Sequence, residues 1–305
     1  MMQHTDIGFL GLGQMGSAIA ERLLDQPFRL HVHDPAEAAQ EHFRARGAIA
    51  HASPREVANH ASLVFACLPD AQVSRQAALG DDGVAHGRAI RIYAEMSTIG
   101  RDTIEDIARR LAGHGIDTLD SPVTGGAPAA REGRLTLLVS GADMVVTGAR
   151  PVLALMGRHI FVLGGEPGMG QIMKVVNNIV MGANLVVACE GMSLGAKAGL
   201  DPGAMAAALQ AGTAQSFAAG PILQRGLSGT FDYGAALAIV DKDMALGLLE
   251  AQALEASLPV IRQAQEQWHA AYAAGLDRQD FTAILQYVER RNGTLVRTSA
   301  TGASI

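Results

Sequence analysis

Gly11-Leu12-Gly13-Gln14-Met15-Gly16 constrains this chain more than any other stretch. It follows Asp6-Ile7-Gly8-Phe9-Leu10, an apolar run of buried-strand length, and leads into a helical periodicity through Leu24. In G-x-G-x-x-G spacing at a strand-to-helix junction, the first glycine permits a tight turn. The second lets the backbone approach a pyrophosphate, and the third lets helix and strand pack closely. The helix N-terminus then offers free N–H groups and a positive dipole end to phosphates. Asp34 closes the next strand, 29–34, where a carboxylate accepts hydrogen bonds from ribose hydroxyls and repels a 2′-phosphate. Pro35-Ala36-Glu37 supply no arginine for such a phosphate, so the expected cofactor is NAD rather than NADP. Asp34 before Pro35 is also a good helix N-cap, and the two roles can coexist.

With 305 residues the chain has room for about two domains. It is 49% hydrophobic and 18% charged, too apolar for disorder, and its net charge of −6 offers no basic face for nucleic acid. Arg109-Arg110 and Arg290-Arg291 read as solvated helix faces. Cys67 and Cys189 read as buried free thiols, and the ten histidines lack metal-ligand spacing, so no metal is expected. A strand so close to the first residue leaves no room for a signal peptide, and a cytoplasmic location is expected.

Further along, Ser53-Pro54-Arg55-Glu56 has the form of a capping box. Strands are expected at 62–67, 91–95, 116–120, 135–140 and 159–163. In open parallel sheets ligands bind beyond the carboxyl ends of strands, which makes Leu68, Pro69, Ser97 and Thr98 candidate walls of a cofactor cleft. Ser97 and Thr98 could equally cap the helix near Arg101. Thr124-Gly125-Gly126 can turn a hydroxyl and successive N–H groups toward an anion, or can be an ordinary turn. The break at 164–168 sets expected domains of 1–164 and 165–292, with a frayed tail at 293–305.

From 171 to 198 the pattern is one helix, roughly 40 Å long, leaving the first domain to form the spine of the second. Lys174 and Asn178 share one of its faces. An isolated lysine among apolar neighbours either snorkels to water or carries chemistry. Asn177, Asn178 and Asn184 make this a core helix and not a membrane span. Further helices are expected at 202–210, 217–227, 235–256, 259–273 and 280–290. Phe217 and Trp268 are possible pocket walls, with core packing the favoured role.

Four motifs now stand in order: Gly8 through Gly16, Asp120-Ser121-Pro122-Val123-Thr124-Gly125-Gly126, Gly168-Met169-Gly170 through Lys174 to Asn178, and Lys242-Asp243. Together they resemble the β-hydroxyacid dehydrogenase family over about residues 5–292, with 125–128 nearest the tartronate semialdehyde reductase branch. The resemblance implies an α/β Rossmann-type N-terminal domain and an all-α C-terminal domain joined by a long interdomain helix, with an active site between them. It implies an NAD-dependent oxidoreductase interconverting a small 3-hydroxy acid and its semialdehyde or keto form. Lys174 would be the general acid/base and Asn178 its assistant. Thr124, Gly125 and Gly126 would hold the substrate carboxylate, and Lys242 would close over the cofactor. A homodimer or homotetramer is also implied. Thr124 stands where serine is more usual and Ser121 where alanine is. An imine reductase on the same scaffold is disfavoured by Lys174 and Asp34. A non-catalytic cofactor-binding scaffold is disfavoured by the retained lysine. A phosphosugar dehydrogenase would want a longer chain and more arginine.

Overall fold

The computed structural model describes residues 5–298. The chain divides into two compact units, Met1–Lys174 and Val175–Ile305, with the division falling inside one helix.

The first unit is built on a nine-stranded sheet: β1 (Asp6–Leu10), β2 (Arg29–His33), β3 (Ile49–Ala50), β4 (Leu63–Ala66), β5 (Ile92–Glu95), β6 (Asp117–Asp120), β7 (Val123–Thr124), β8 (Leu135–Ser140) and β9 (Gly157–Gly164). The order is β3-β2-β1-β4-β5-β6-β8-β7, with β9 also paired to β8. The first six strands run parallel, the doubly wound order of a dinucleotide-binding sheet. Strand β8 runs antiparallel to β6 and β7, so the sheet is mixed rather than wholly parallel. Strands β3 and β7, two residues each, are too short to leave a period in the sequence.

Register does the positioning. His33, Leu10, Ala66, Glu95 and Asp120 are successive partners across the sheet, so five parallel strands end in one row. The loops leaving those residues lie along one edge. Side chains alternate between faces, with Ile7, Phe9, Leu63, Phe65 and Ile92 in one apolar cluster and Leu10, Val64, Ala66 and Tyr93 in another. Helices cover both faces: α1 (Gln14–Ala20), α2 (Glu37–Arg44), α3 (Pro54–Ala58), α4 (Ala71–Leu79), α5 (Arg101–Ala112), α6 (Gly126–Arg131) and α7 (Asp143–Met156). At α3 the Ser53 hydroxyl accepts from Glu56 N, while the Glu56 carboxylate reaches Ala52 N, one residue before the position a strict capping box uses.

Three histidines scattered in sequence meet in space. The rings of His31, His51 and His60 stack with centroids 5.1–5.3 Å apart. His31 Nε2 lies 2.8 Å from Asp6 Oδ1, and His31 Nδ1 lies 2.8 Å from His51 Nε2. Arg29 holds the Asp6 carboxyl down to about 2, chiefly by its hydrogen bond, so Asp6 is the acceptor and the two rings pass one hydrogen bond each along the chain. Among the described residues no group of three His, Cys, Asp or Glu could hold a metal ion.

The second unit is helical: α8 (Met169–Lys197), which starts in the first unit, then α9 (Pro202–Ala211), a π-helical turn Ala218–Ile222, α10 (Leu223–Leu227), α11 (Leu237–Ala253), α12 (Pro259–Ala271) and α13 (Ile284–Asn292). Pro202 and Pro259 occupy first-turn positions. Val175, Ile179, Val186, Cys189 and Met192 of α8 join a core around Trp268, whose indole N–H donates to Gly182 O at 3.2 Å. Val180, Val187 and Leu194 of the same helix are exposed. Trp268 is fully buried, but Phe217 is 59% exposed, so the core role favoured for Phe217 is corrected: it sits just before the π-helical turn with its ring outside the core. Past α13 the chain does not fray at once. Val296 is buried and its N–H donates to Glu289, and Arg297 pairs with the same carboxylate. The rest of the expected tail, 299–305, lies outside the described residues.

Candidate active site

The glycine loop crosses the row of strand ends. Gly11 has φ +87°, and a Cβ there would collide with the Cys67 carbonyl; a Cβ on Gly16 would collide with the Gly11 carbonyl. A Cβ on Gly13 would meet nothing within 4 Å. The outer glycines are therefore packing requirements, and the middle one leaves an open face. Helix α1 starts at Gln14 with no side-chain cap on Gly13, so its first-turn N–H groups are available to an acceptor from outside. Gln14 is exposed and Met15 half-buried at this tip.

Asp34 anchors the loop from below. Its Oδ2 accepts from Leu12 N at 2.6 Å and its Oδ1 from Ala36 N at 2.8 Å. The N-cap of α2 is Ala36, so Asp34 is not that helix's cap. A cavity of ≈ 210 Å³ opens beside it, lined among others by Gly11, His33, Pro35, Leu68, Val73 and Asp82. An open glycine, an uncapped helix start, an acid at the end of β2 and a neighbouring apolar cavity fit the phosphates, ribose and base of a dinucleotide.

The ends of β4 and β5 are tied together. Buried Ser97 accepts from Leu68 N through its hydroxyl at 2.7 Å, and its own N–H donates to Glu95 Oε1 at 2.9 Å. Tyr93 donates to the other Glu95 oxygen at 2.8 Å. Burial raises the Glu95 carboxyl above its ordinary range against these hydrogen bonds. Ser97 is thus a strut between the two loops. Helix α5 is not capped by it: its N-cap is Gly100, at φ +84°, with no side-chain cap. Leu68 and Thr98 are half-buried and Pro69 is exposed on the same edge.

Asp120, at the end of β6, holds the start of α8. Its Oδ2 accepts from Ser140 Oγ, Gly168 N and Gln171 N at 3.0, 2.9 and 3.0 Å, and Oδ1 accepts from Gln171 Nε2 at 2.9 Å. Ser140 Oγ in turn accepts from Gly170 N at 3.0 Å. Desolvation raises the Asp120 carboxyl, and these donors oppose the rise. Lys174, half-buried, comes one turn later. Burial, with Glu95 adding to it, pushes the nearby Cys67 thiol up to about 12, and the Lys174 charge pulls the other way. Thr124 ends β7, and Gly125 and Gly126, at φ +128° and +74°, turn the chain directly into α6. The left-handed backbone at both positions favours glycine at this strand–helix junction.

In the second unit Asn178, one turn beyond Lys174 on α8, donates from Nδ2 to Asp243 Oδ2 at 2.6 Å. Lys242 Nζ lies 3.2 Å from Asp243 Oδ1. Asp243 is buried and Lys242 half-exposed, so one carboxylate orients both. Phe217 makes no part of this polar line. Glu95, Asp120, Gln171 and Asp243 were not singled out as site residues from the sequence. The available signal for Glu95 and Asp120 was an acid ending an otherwise apolar strand, which a buried sheet does not accept without partners.

Comparison with known proteins agrees with this fold. The model of the NAD binding domain of 6-phosphogluconate dehydrogenase matches residues 6–164, and that of the NAD-binding domain of NADP-dependent 3-hydroxyisobutyrate dehydrogenase matches 168–288. The 3-hydroxyisobutyrate dehydrogenase of Pseudomonas aeruginosa is 34% identical over 290 residues, covering 92% of this chain and 97% of that protein. The 2-hydroxy-3-oxopropionate reductase of Escherichia coli is 32% identical over 284 residues, covering 93% and 97%. A crystal structure of 3-hydroxyisobutyrate dehydrogenase from Salmonella typhimurium superposes with a TM-score of 0.84 at 28% identity, covering 92% of this chain and 99% of that one. Fold, glycine loop and relatives define a nicotinamide-dependent oxidoreductase. Within that class the chain belongs to the β-hydroxyacid dehydrogenase family.

Proposed function

We propose that the protein interconverts a small 3-hydroxy acid and its semialdehyde or keto form, with NAD preferred and Lys174 as general acid/base. The observation that carries this reading is Lys174 itself, half-buried one turn past a helix start that Asp120 fixes at the end of β6. The glycine loop would hold the pyrophosphate, Asp34 the adenosine ribose, and the cavity beside it the base. Leu68, Pro69, Ser97 and Thr98 would wall the cofactor, and Lys242 would also serve it. Bound nicotinamide supplies the hydride acceptor or donor. In oxidation, Lys174 Nζ takes the proton of the substrate hydroxyl; in reduction, its ammonium returns a proton to the developing alkoxide. Thr124, Gly125, Gly126 and Phe217 are assigned to the substrate, the first three to its carboxylate, a role to which the hydroxyl and the adjoining N–H groups are suited. The preference for NAD is supported by the Asp34 carboxylate, which repels a 2′-phosphate, and by the absence of arginine at 35–37.

The test is turnover of 3-hydroxyisobutyrate, 2-hydroxy-3-oxopropionate and similar small acids with NAD(H) and NADP(H), in wild type and Lys174→Ala. Turnover favouring NAD, rising with pH in the oxidative direction and collapsing in the variant, is expected. Equal turnover in the variant would contradict the acid/base assignment, and a preference for NADP would contradict the role of Asp34.

A further inference from the structure

Gln171 is fully buried and its side-chain amide is saturated. Oε1 accepts from Ile99 N at 2.9 Å and Gly100 N at 3.1 Å, while Nε2 donates to Ser97 O and Asp120 Oδ1, both at 2.9 Å. Two donors and two acceptor sites are all that a primary amide has. Only one orientation works, because the reverse would set Oε1 against a carboxylate and a carbonyl.

These bonds are not needed to finish the helix. Asp120 already accepts from Gly168 N and Gln171 N, and Ser140 from Gly170 N. The Gln171 side chain adds a link from the first turn of α8 to the 97–100 loop, which Ser97 joins to Leu68 N. Gln171 stands three residues before Lys174, on the same side of the helix.

We propose that Gln171 is a positioning residue: it locks the first turn of α8 to the Ser97–Leu68 wall and so fixes where Lys174 Nζ stands. This deepens, and rests on, the acid/base reading of Lys174. A displacement of about 1 Å in such a group can cost ~10²-fold in rate.

The chain has three lysines, Lys174, Lys197 and Lys242, so reductive ¹³C-methylation of the full chain gives an NMR spectrum with few amine signals. The variants are Gln171→Met, of similar length without the hydrogen bonds, and Gln171→Glu, whose carboxyl can donate once protonated. Gln171→Met is expected to move the Lys174 resonance and shift its titration midpoint by about half a unit or more. Lys197 and Lys242 should stay put. In parallel, kcat on the best acid of the panel should fall ~10–100-fold, with the cofactor KM changed by less than about 3-fold. Gln171→Glu should regain the wild-type Lys174 resonance as its carboxyl protonates. An unmoved Lys174 resonance, with only the melting temperature lowered, would make Gln171 purely structural and overturn the proposal. Should Gln171→Met fail to fold, the pH-dependent return of the resonance in Gln171→Glu decides: no return overturns it. Lys174→Ala separates the two ideas. Full turnover there would remove the acid/base reading, whereas normal kcat and an unmoved resonance in Gln171→Met would remove only the positioning role.

Discussion

Helices α1 and α8 both begin beside glycines, and they finish their N-termini in opposite ways. At α1 the Gly13 cap has no side-chain partner and open space above it. At α8 the first-turn N–H groups of Gly168, Gly170 and Gln171 are taken up by Asp120 and Ser140, and a Cβ on Gly170 would stand 2.7 Å from Asp120 Oδ2. Every helix start has N–H groups to satisfy. One left open is a place for an anion that comes and goes. One satisfied from inside is a rigid mount for the residue a turn further on, here Lys174.

The contrast can be broken first at the mounted group. Lys174→Ala should cost ~10²–10⁴-fold in kcat, the usual loss for an acid/base, while NADH affinity measured by fluorescence stays near wild type. Asp120→Ala comes next. It leaves the Ser140 hydroxyl and two backbone N–H groups without their acceptor, and should lower stability by about 3 kcal/mol or more in urea unfolding. The open terminus behaves differently. Gly13 has φ −65°, so Gly13→Ala should fold with a melting temperature near wild type yet bind NADH at least ~10-fold more weakly. Gly16→Ala forces a Cβ into the Gly11 carbonyl and should cost about 1–3 kcal/mol of stability. If the two glycine variants behaved alike, the separation of packing from binding glycines would fail.

The smallest effect is a pH dependence away from the strand ends. Burial lowers His31 and takes His51 down to about 4, against Asp6 and Glu56; His60, His33 and Arg29 add repulsion to one ring or the other. The folded state therefore favours neutral rings. Below about 6.5 the unfolded chain binds protons that the fold refuses, so stability present above that pH falls steadily toward about pH 4. With a discount for the solvent around these rings, the loss should be on the order of 1–2 kcal/mol. Urea titrations at pH 7 and 4.5 would read it, and His51→Gln should flatten the slope.

Local signals in the sequence were reliable where one residue's chemistry settles its conformation. The glycine loop, the strand runs and the first-turn prolines all lie where the sequence set them, and α8 begins within two residues of its expected start. The links that escaped depend on partners far away in the chain. Asp120 and Gln171 are 51 residues apart, and Gln171 and Ser97 are 74 apart, so neither link leaves a local pattern. Ser97 reads equally as a cleft wall or a helix cap from the sequence, but Gly100 takes the cap position and the hydroxyl bonds Leu68 instead. The antiparallel turn of β8 comes from a connection through β7 and the short α6, too brief to announce a change of direction. Phe217 misled because a large aromatic is more often core than surface.

The most direct test of the contrast is amide hydrogen exchange with and without NADH. Residues 14–16 should exchange quickly alone and slow markedly when NADH binds, while 168–174 should be slow in both states. Fast exchange at 168–174, or a glycine loop indifferent to NADH, would contradict the account.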